Sequence, residues 1–150
     1  MSALFAFLHH FAAFLLVATL CIEFVLIREP FSETIARKLL KTDALFGMAA
    51  GAVLIVGFLR VIYFEKGASF YFSNVFFIAK LALFALVGVL SIRPTKEFLS
   101  WRASLKAGRL PVVEPARIRK IRSTINLELV GVALLVLCAA LMARGVGSVA

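Results

Sequence analysis

"ALFAFLHHFAAFLLVATLCIEFVLI", residues 3–27, is apolar almost throughout, interrupted only by His9, His10 and Glu23. Length decides what such a run is. About 20 helical residues at 1.5 Å each cover roughly 30 Å of hydrocarbon, so this stretch is long enough to cross a bilayer. Three further runs share its character: residues 44–64, 70–92 and 125–142. In hydrocarbon each backbone amide must bond within its own segment or within a closed barrel, and none of the runs alternates with period two as a barrel strand does. The sequence therefore predicts an all-α integral membrane four-helix bundle, one domain over residues 1–150. Composition agrees, since 63% of the residues are hydrophobic, against about 45–50% in a soluble domain.

The first run lacks a basic start and exceeds the short apolar core of a secretion signal, so it is expected to stay as a span. Cys21 and Cys138 both fall inside predicted spans. That placement fits packing residues rather than a disulfide framework or a CxxC metal knuckle.

The net charge of +9 is unevenly spread. Nine of the 17 basic residues lie between Arg93 and Arg122, in the connection after the third span, and four (Arg28, Arg37, Lys38, Lys41) lie in the connection after the first. These two connections share one side of the membrane. The positive-inside rule predicts that both are cytoplasmic and both termini outside, in a bacterial inner membrane. The charge is then accounted for by anionic lipid headgroups, with no nucleic-acid partner. In the third connection Pro94 and Thr95 are expected to start a short interfacial helix. Its stripe of Phe98, Leu99, Trp101 and Leu105, opposite Lys96, Arg102 and Lys106, would lie on the leaflet, and Pro111 and Pro115 would interrupt the chain beyond it. A smaller element is expected from Ser32 to Lys41, capped by Ser32 and turning Ile35, Leu39 and Leu40 one way.

Ionisable groups inside spans are costly and mark candidate sites. They are His9, His10 and Glu23 in the first span, Arg60 in the second, Lys80 in the third and Glu128 in the fourth. With the predicted orientation and the helical rise, His9 and His10 lie about 10 Å, and Lys80 about 15 Å, below the outer boundary, with Arg60 one turn from it. Glu23, Asp43, Asn126 and Glu128 gather near the opposite side. On the first helix, Ala12, Ala13, Leu16, Leu20 and Glu23 continue the face of His9, while His10 shares a lipid-like face with Phe14, Val17, Cys21 and Phe24. On the third, Ser73, Phe77, Phe84, Val87 and Ser91 share the stripe of Lys80. "GMAAG", residues 47–51, has the GxxxG spacing, which either lets two helix backbones approach or is incidental glycine.

Neutral imidazole is a common ligand of haem iron, and the facing helices of four-helix bundles hold such cofactors. His9 or His10 as axial ligand, Lys80 as second ligand or proton donor, and Arg60 on a propionate make a coherent haem b site. Glu23 and Glu128 would then accept or deliver protons, although Arg122 also offers Glu128 an ordinary ion pair. The electron partner would be hydrophobic, a quinone or a porphyrin precursor.

The segments "ARKLLKTDALFGMAAG", "GFLRVIYFEKGASFYFSNVFFIAKLALFALVGVLSI" and "LELVGVALLVLCAALMARG" resemble the DUF2214 family of small bacterial four-helix membrane proteins, over nearly the whole chain. More distantly, "FLHHF", "FIAKLALFAL" and "INLELV" resemble the HemJ-type membrane protoporphyrinogen oxidases, four-helix proteins associated with haem b. That likeness implies that His9 or His10 matches the haem-linked histidine and Lys80 the essential lysine of the third helix. The doubled histidine, Leu16 in place of an aromatic residue, and a longer, more basic third connection depart from the oxidase pattern. They leave fold and haem association as the implied common ground, with the substrate open.

The competing expectation is a cofactor-free structural or assembly subunit, a homo-oligomer or part of a larger membrane complex, with the aromatic stretch 70–77 facing lipid or a partner helix. A transporter has less support, because the chain shows no repeat, no broken helix and no row of acidic residues along a path. Soluble enzyme classes have less still, for want of a phosphate-cradling glycine loop, HExxH or a nucleophilic serine arrangement.

Overall fold

The computed structural model describes residues 2–64 and 72–147. Among the described residues five α-helices follow one another: α1 (Ser2–Leu26), α2 (Glu33–Leu59), α3 (Val75–Ser100), the short α4 (Arg102–Lys106) and α5 (Pro115–Ala143). A π-helical turn, Arg60–Phe64, continues α2. Four stretches are long and apolar enough to cross a membrane: Ala3–Leu26, Glu33–Tyr63, Val75–Lys106 and Pro115–Ala143. Large apolar side chains such as Phe14, Met48, Ile55 and Val130 point outward from them. Lipid solvates such a surface at no cost, so these residues need no protein cover.

The helices outrun the spans read from the sequence. α2 begins at Glu33, not near residue 44, because Ser32 Oγ accepts the Ile35 N–H at 3.2 Å and starts the helix there. The element expected over 32–41 is thus the first part of α2. α5 begins at Pro115 rather than near residue 125, since proline at the first helical position gives up only an amide that has no helical partner. The start expected at residue 70 lies outside the described residues.

Pro94 does not open a new turn. It is buried within α3, which runs on to Ser100; a proline in a membrane helix is tolerated where neighbouring groups compensate for the missing donor. The short helix of the third connection is only α4, with Phe98 and Leu99 belonging to α3, and of the expected stripe Leu99 alone is exposed while the rest is turned towards protein. Phe98, Trp101 and Leu105 are buried, and the Trp101 ring lies 5.2 Å from Phe31 and 5.1 Å from Phe98. The long ends of α2 and α3 provide the surface on which it packs. Ile27, Ala36, Leu39 and Ile121 complete this core at the basic end of the bundle. Arg37 pins it by bonding both Glu33 and the Leu105 carbonyl, and Arg122 reaches the Ile27 carbonyl at 3.3 Å.

α1 packs along α2, and α3 along α5; the two pairs meet less extensively through α1–α5 and α2–α3. The face expected for α1 is the buried one, with Ala12, Leu16, Leu20 and Glu23 inside. Phe77 and Val87 are likewise buried on α3, so the aromatic stretch expected to face lipid is only partly outward. A Cβ at Gly131 would stand 2.7 Å from Val87 Cγ2, which makes this glycine the condition for close α3–α5 contact. Gly47 and Gly51 have nothing within 4 Å of an added Cβ. The GxxxG spacing therefore brings no helix together within this chain.

Candidate site within the bundle

His9, His10, Arg60 and Lys80 line one cavity of about 350 Å³. α1 contributes both histidines, the π-helical turn after α2 contributes Arg60, and α3 contributes Lys80. α5 supplies apolar wall through Leu135, Ala139 and Met142. The four polar groups that the sequence placed at one depth are thus brought together. Phe14, Phe58 and Val136 line the cavity and are also exposed on the outer surface, Phe14 to 74%. The cavity therefore opens towards the lipid-facing side.

The two imidazoles are held differently. His10 Nδ1 lies 2.7 Å from the Ala6 carbonyl, one turn back on α1. A carbonyl only accepts, so that nitrogen carries the hydrogen, and in the neutral ring Nε2 is the nitrogen with the lone pair. His9 is half-buried, with Nδ1 sealed from solvent and the Val53 backbone as the ring's hydrogen-bonding neighbour on α2. Its Cε1–Nδ1 edge rests on α2, where a Cβ at Gly57 would meet Cε1 at 3.1 Å and Nδ1 at 3.5 Å. Gly57 is the residue that admits the ring. The ring centroids are 6.1 Å apart and nearly perpendicular. Lys80 Nζ stands 5.2 Å from the centroid of the buried Phe77 ring, within range of a cation–π contact. Arg60 opens the π-helical turn; such turns widen the backbone and recur at functional sites.

Glu23 and Glu128 do not reach this cavity. They are buried nearer the basic end, each 1% exposed, together with Asp43. The expected ion pair of Glu128 with Arg122 does not form. Arg122 spends its Nη2 on the Ile27 carbonyl, and Glu128 Oε1 is sealed without a hydrogen-bond partner. Asn126 receives Arg28 instead, at 2.7 Å. Among the described residues no three His, Cys, Asp or Glu side chains converge closely enough to hold a metal ion.

The sequence model of the family described as "Predicted membrane protein (DUF2214)" matches residues 1–147. The chain belongs to that family. No curated protein and no solved structure matches it. For this DUF2214 protein the sequence reading had missed Gly57 and Thr95. The first had one signal, a residue without a side chain at the level of a ring on the neighbouring helix. Thr95, read as a turn former beside Pro94, donates its hydroxyl to Asp43 Oδ1 at 2.8 Å.

Proposed function

We propose that this protein is a membrane-embedded redox protein that binds haem b in the cavity of His9, His10, Arg60 and Lys80. One observation carries the reading: two imidazoles and two cationic side chains from three helical segments meet in an otherwise apolar cavity. The residues fit the group. His10 has its tautomer fixed by Ala6, the arrangement common among metal-ligating histidines, which donate their other ring N–H to a carbonyl or carboxylate. His9 lines the same cavity, the Nδ1 edge of its ring seated on α2 at Gly57. The cavity volume lies within the range of about 300–1,000 Å³ usual for cofactor and small-molecule sites.

When bound, haem supplies one-electron chemistry at its iron. The chain's part is to hold and shield. His9 or His10 would provide a nitrogen to the iron, Lys80 a second ligand or a proton donor, and Arg60 a two-pronged partner for a propionate carboxylate. Phe77, Phe84 and Leu135 keep water away from the ring. The opening beside Phe14 and Phe58 suits an electron donor dissolved in lipid, a quinol or a porphyrinogen, and the distant likeness to HemJ-type oxidases supports the same class. In this reading the basic end faces the cytoplasm of a bacterial inner membrane, against anionic headgroups, and both termini lie outside.

The test is the visible absorption spectrum, oxidised and reduced, of protein purified from haem-replete cells. Porphyrin bands are expected, and a His9→Ala, His10→Ala variant should lose them. Wild-type protein that is folded and colourless would overturn the proposal.

A further inference from the structure

A polar layer crosses the bundle away from the cavity. Each membrane-crossing helix contributes to it: the buried Glu23 from α1, Asp43 from α2 and Glu128 from α5, and the half-buried Thr95 from α3. Thr95 joins α3 to α2 through its bond to Asp43. Glu23 interacts electrostatically with Asp43 and Glu128, and Glu128 with Asp43, so the three carboxyls are electrostatic neighbours without converging on a common point. Proximity alone would mean little. The independent observation is that Glu23 and Glu128, each only 1% exposed, both keep an Oε1 sealed from solvent with no hydrogen-bond partner.

A carboxylate oxygen only accepts, and a sealed acceptor without a donor is costly. Among the described residues no lysine or arginine forms an ion pair with them. Arg28 lies on the Phe24 carbonyl and on Asn126, and Arg122 on the Ile27 carbonyl. Glu97 meets Trp101 and Arg117, and Lys41, Arg93 and Lys96 are exposed. A metal ion does not fit either, since no three such ligands converge among the described residues. The ligand whose chemistry fits is the smallest one. A proton neutralises a sealed carboxylate and turns one of its oxygens into a donor.

We propose that Glu23, Asp43 and Glu128 form a single proton-exchanging site within the membrane bundle, loaded and emptied from its basic end. Loading transfers a proton from water to a carboxylate oxygen, and release returns it to water, with no other bond made or broken. The site does not depend on haem in the cavity.

Infrared titration of the full-length protein in lipid nanodiscs tests this through the carbonyl stretch of protonated carboxyl groups. Wild type is compared with Glu23→Gln, Glu128→Gln, Thr95→Val and the His9→Ala, His10→Ala variant. Each Gln substitution should remove part of the band and move the titration midpoint of the remainder by about one pH unit or more, as groups that share protons do. Thr95→Val, which keeps every carboxyl, should also move the midpoint, and it carries the test if a Gln variant loses its helical circular dichroism. The double histidine variant should leave the band as it is, which separates this site from the haem reading. Components that add up to the wild-type spectrum with unmoved midpoints, or an unchanged titration in Thr95→Val, overturn the proposal. A band that answers to added sodium or calcium at fixed pH overturns it too, in favour of a cation site.

Discussion

Gly131→Ala should loosen the contact between α3 and α5. The added Cβ would stand 2.7 Å from Val87 Cγ2, where carbon atoms at ease keep about 3.5–4.0 Å. Valine in a helix has one strongly preferred side-chain rotamer, and Val87 is buried, so the methyl group cannot swing clear. The helices must part by about 1 Å, and overpacking of that kind costs about 1–3 kcal/mol. Alanine also returns up to about 1 kcal/mol of helix propensity, which would mask part of the loss. Gly47→Ala is the control, because its Cβ meets nothing within 4 Å and it gains the propensity alone. The difference between the two variants isolates the clash at about 1–3 kcal/mol. Adding Val87→Ala to Gly131→Ala should recover much of it, as contacting pairs in a double-mutant cycle do. Reversible unfolding in mixed micelles, titrated with a denaturing detergent, measures these free energies. A Gly131→Ala protein as stable as Gly47→Ala, or a double variant no better than Gly131→Ala, would refute the reasoning.

Asn74→Ala removes an N-cap whose Oδ1 accepts from Phe76 N at 2.9 Å and Phe77 N at 3.3 Å, and whose Nδ2 donates to the Val146 carbonyl at 3.3 Å. A loss of about 0.5–2 kcal/mol is expected, with faster hydrogen exchange at Phe76 and Phe77; unchanged exchange there would count against the cap. Trp101 is the chain's only tryptophan and is 2% exposed, so its fluorescence should resist both aqueous quenchers and brominated lipids, and Trp101→Ala should cost about 3–5 kcal/mol. Efficient quenching by lipid would return it to the leaflet surface. Lys80→Met should alter the visible spectrum of the haem-loaded protein without unfolding it, because the amine lies beside the Phe77 ring on the cavity wall. An identical spectrum would remove Lys80 from the ligand set.

The four crossings were legible because length and lipid leave a 25-residue apolar stretch such as 3–27 few alternatives. Their ends were not. Basic and polar residues at 33–43 and 115–124 resemble an interface, yet they continue α2 and α5 as regular helix, since nothing in a charged side chain stops helical hydrogen bonding. The depth match of His9, His10, Arg60 and Lys80 came from rise per residue alone, and helical phase correctly turned Leu16, Leu20 and Glu23 inward. Phase could not give contact between helices. Gly57 and Gly131 matter because of the side chains opposite them, His9 and Val87. GMAAG has the more conspicuous spacing and nothing opposite. For the same reason Glu128 was assigned to Arg122, its neighbour along one helix, although Arg122 turns away to the end of α1.

Close pairing of α1 with α2 and of α3 with α5 divides the molecule into an amino-terminal and a carboxy-terminal hairpin. Neither holds a complete set of polar groups. His9, His10, Arg60, Glu23 and Asp43 belong to the first, and Lys80, Thr95 and Glu128 to the second. Both clusters therefore come into being in one event, when the halves dock. Co-expressing the hairpins as separate polypeptides turns that event into something that can be switched on and watched: any property that belongs to either cluster should be missing from each fragment and return on complementation.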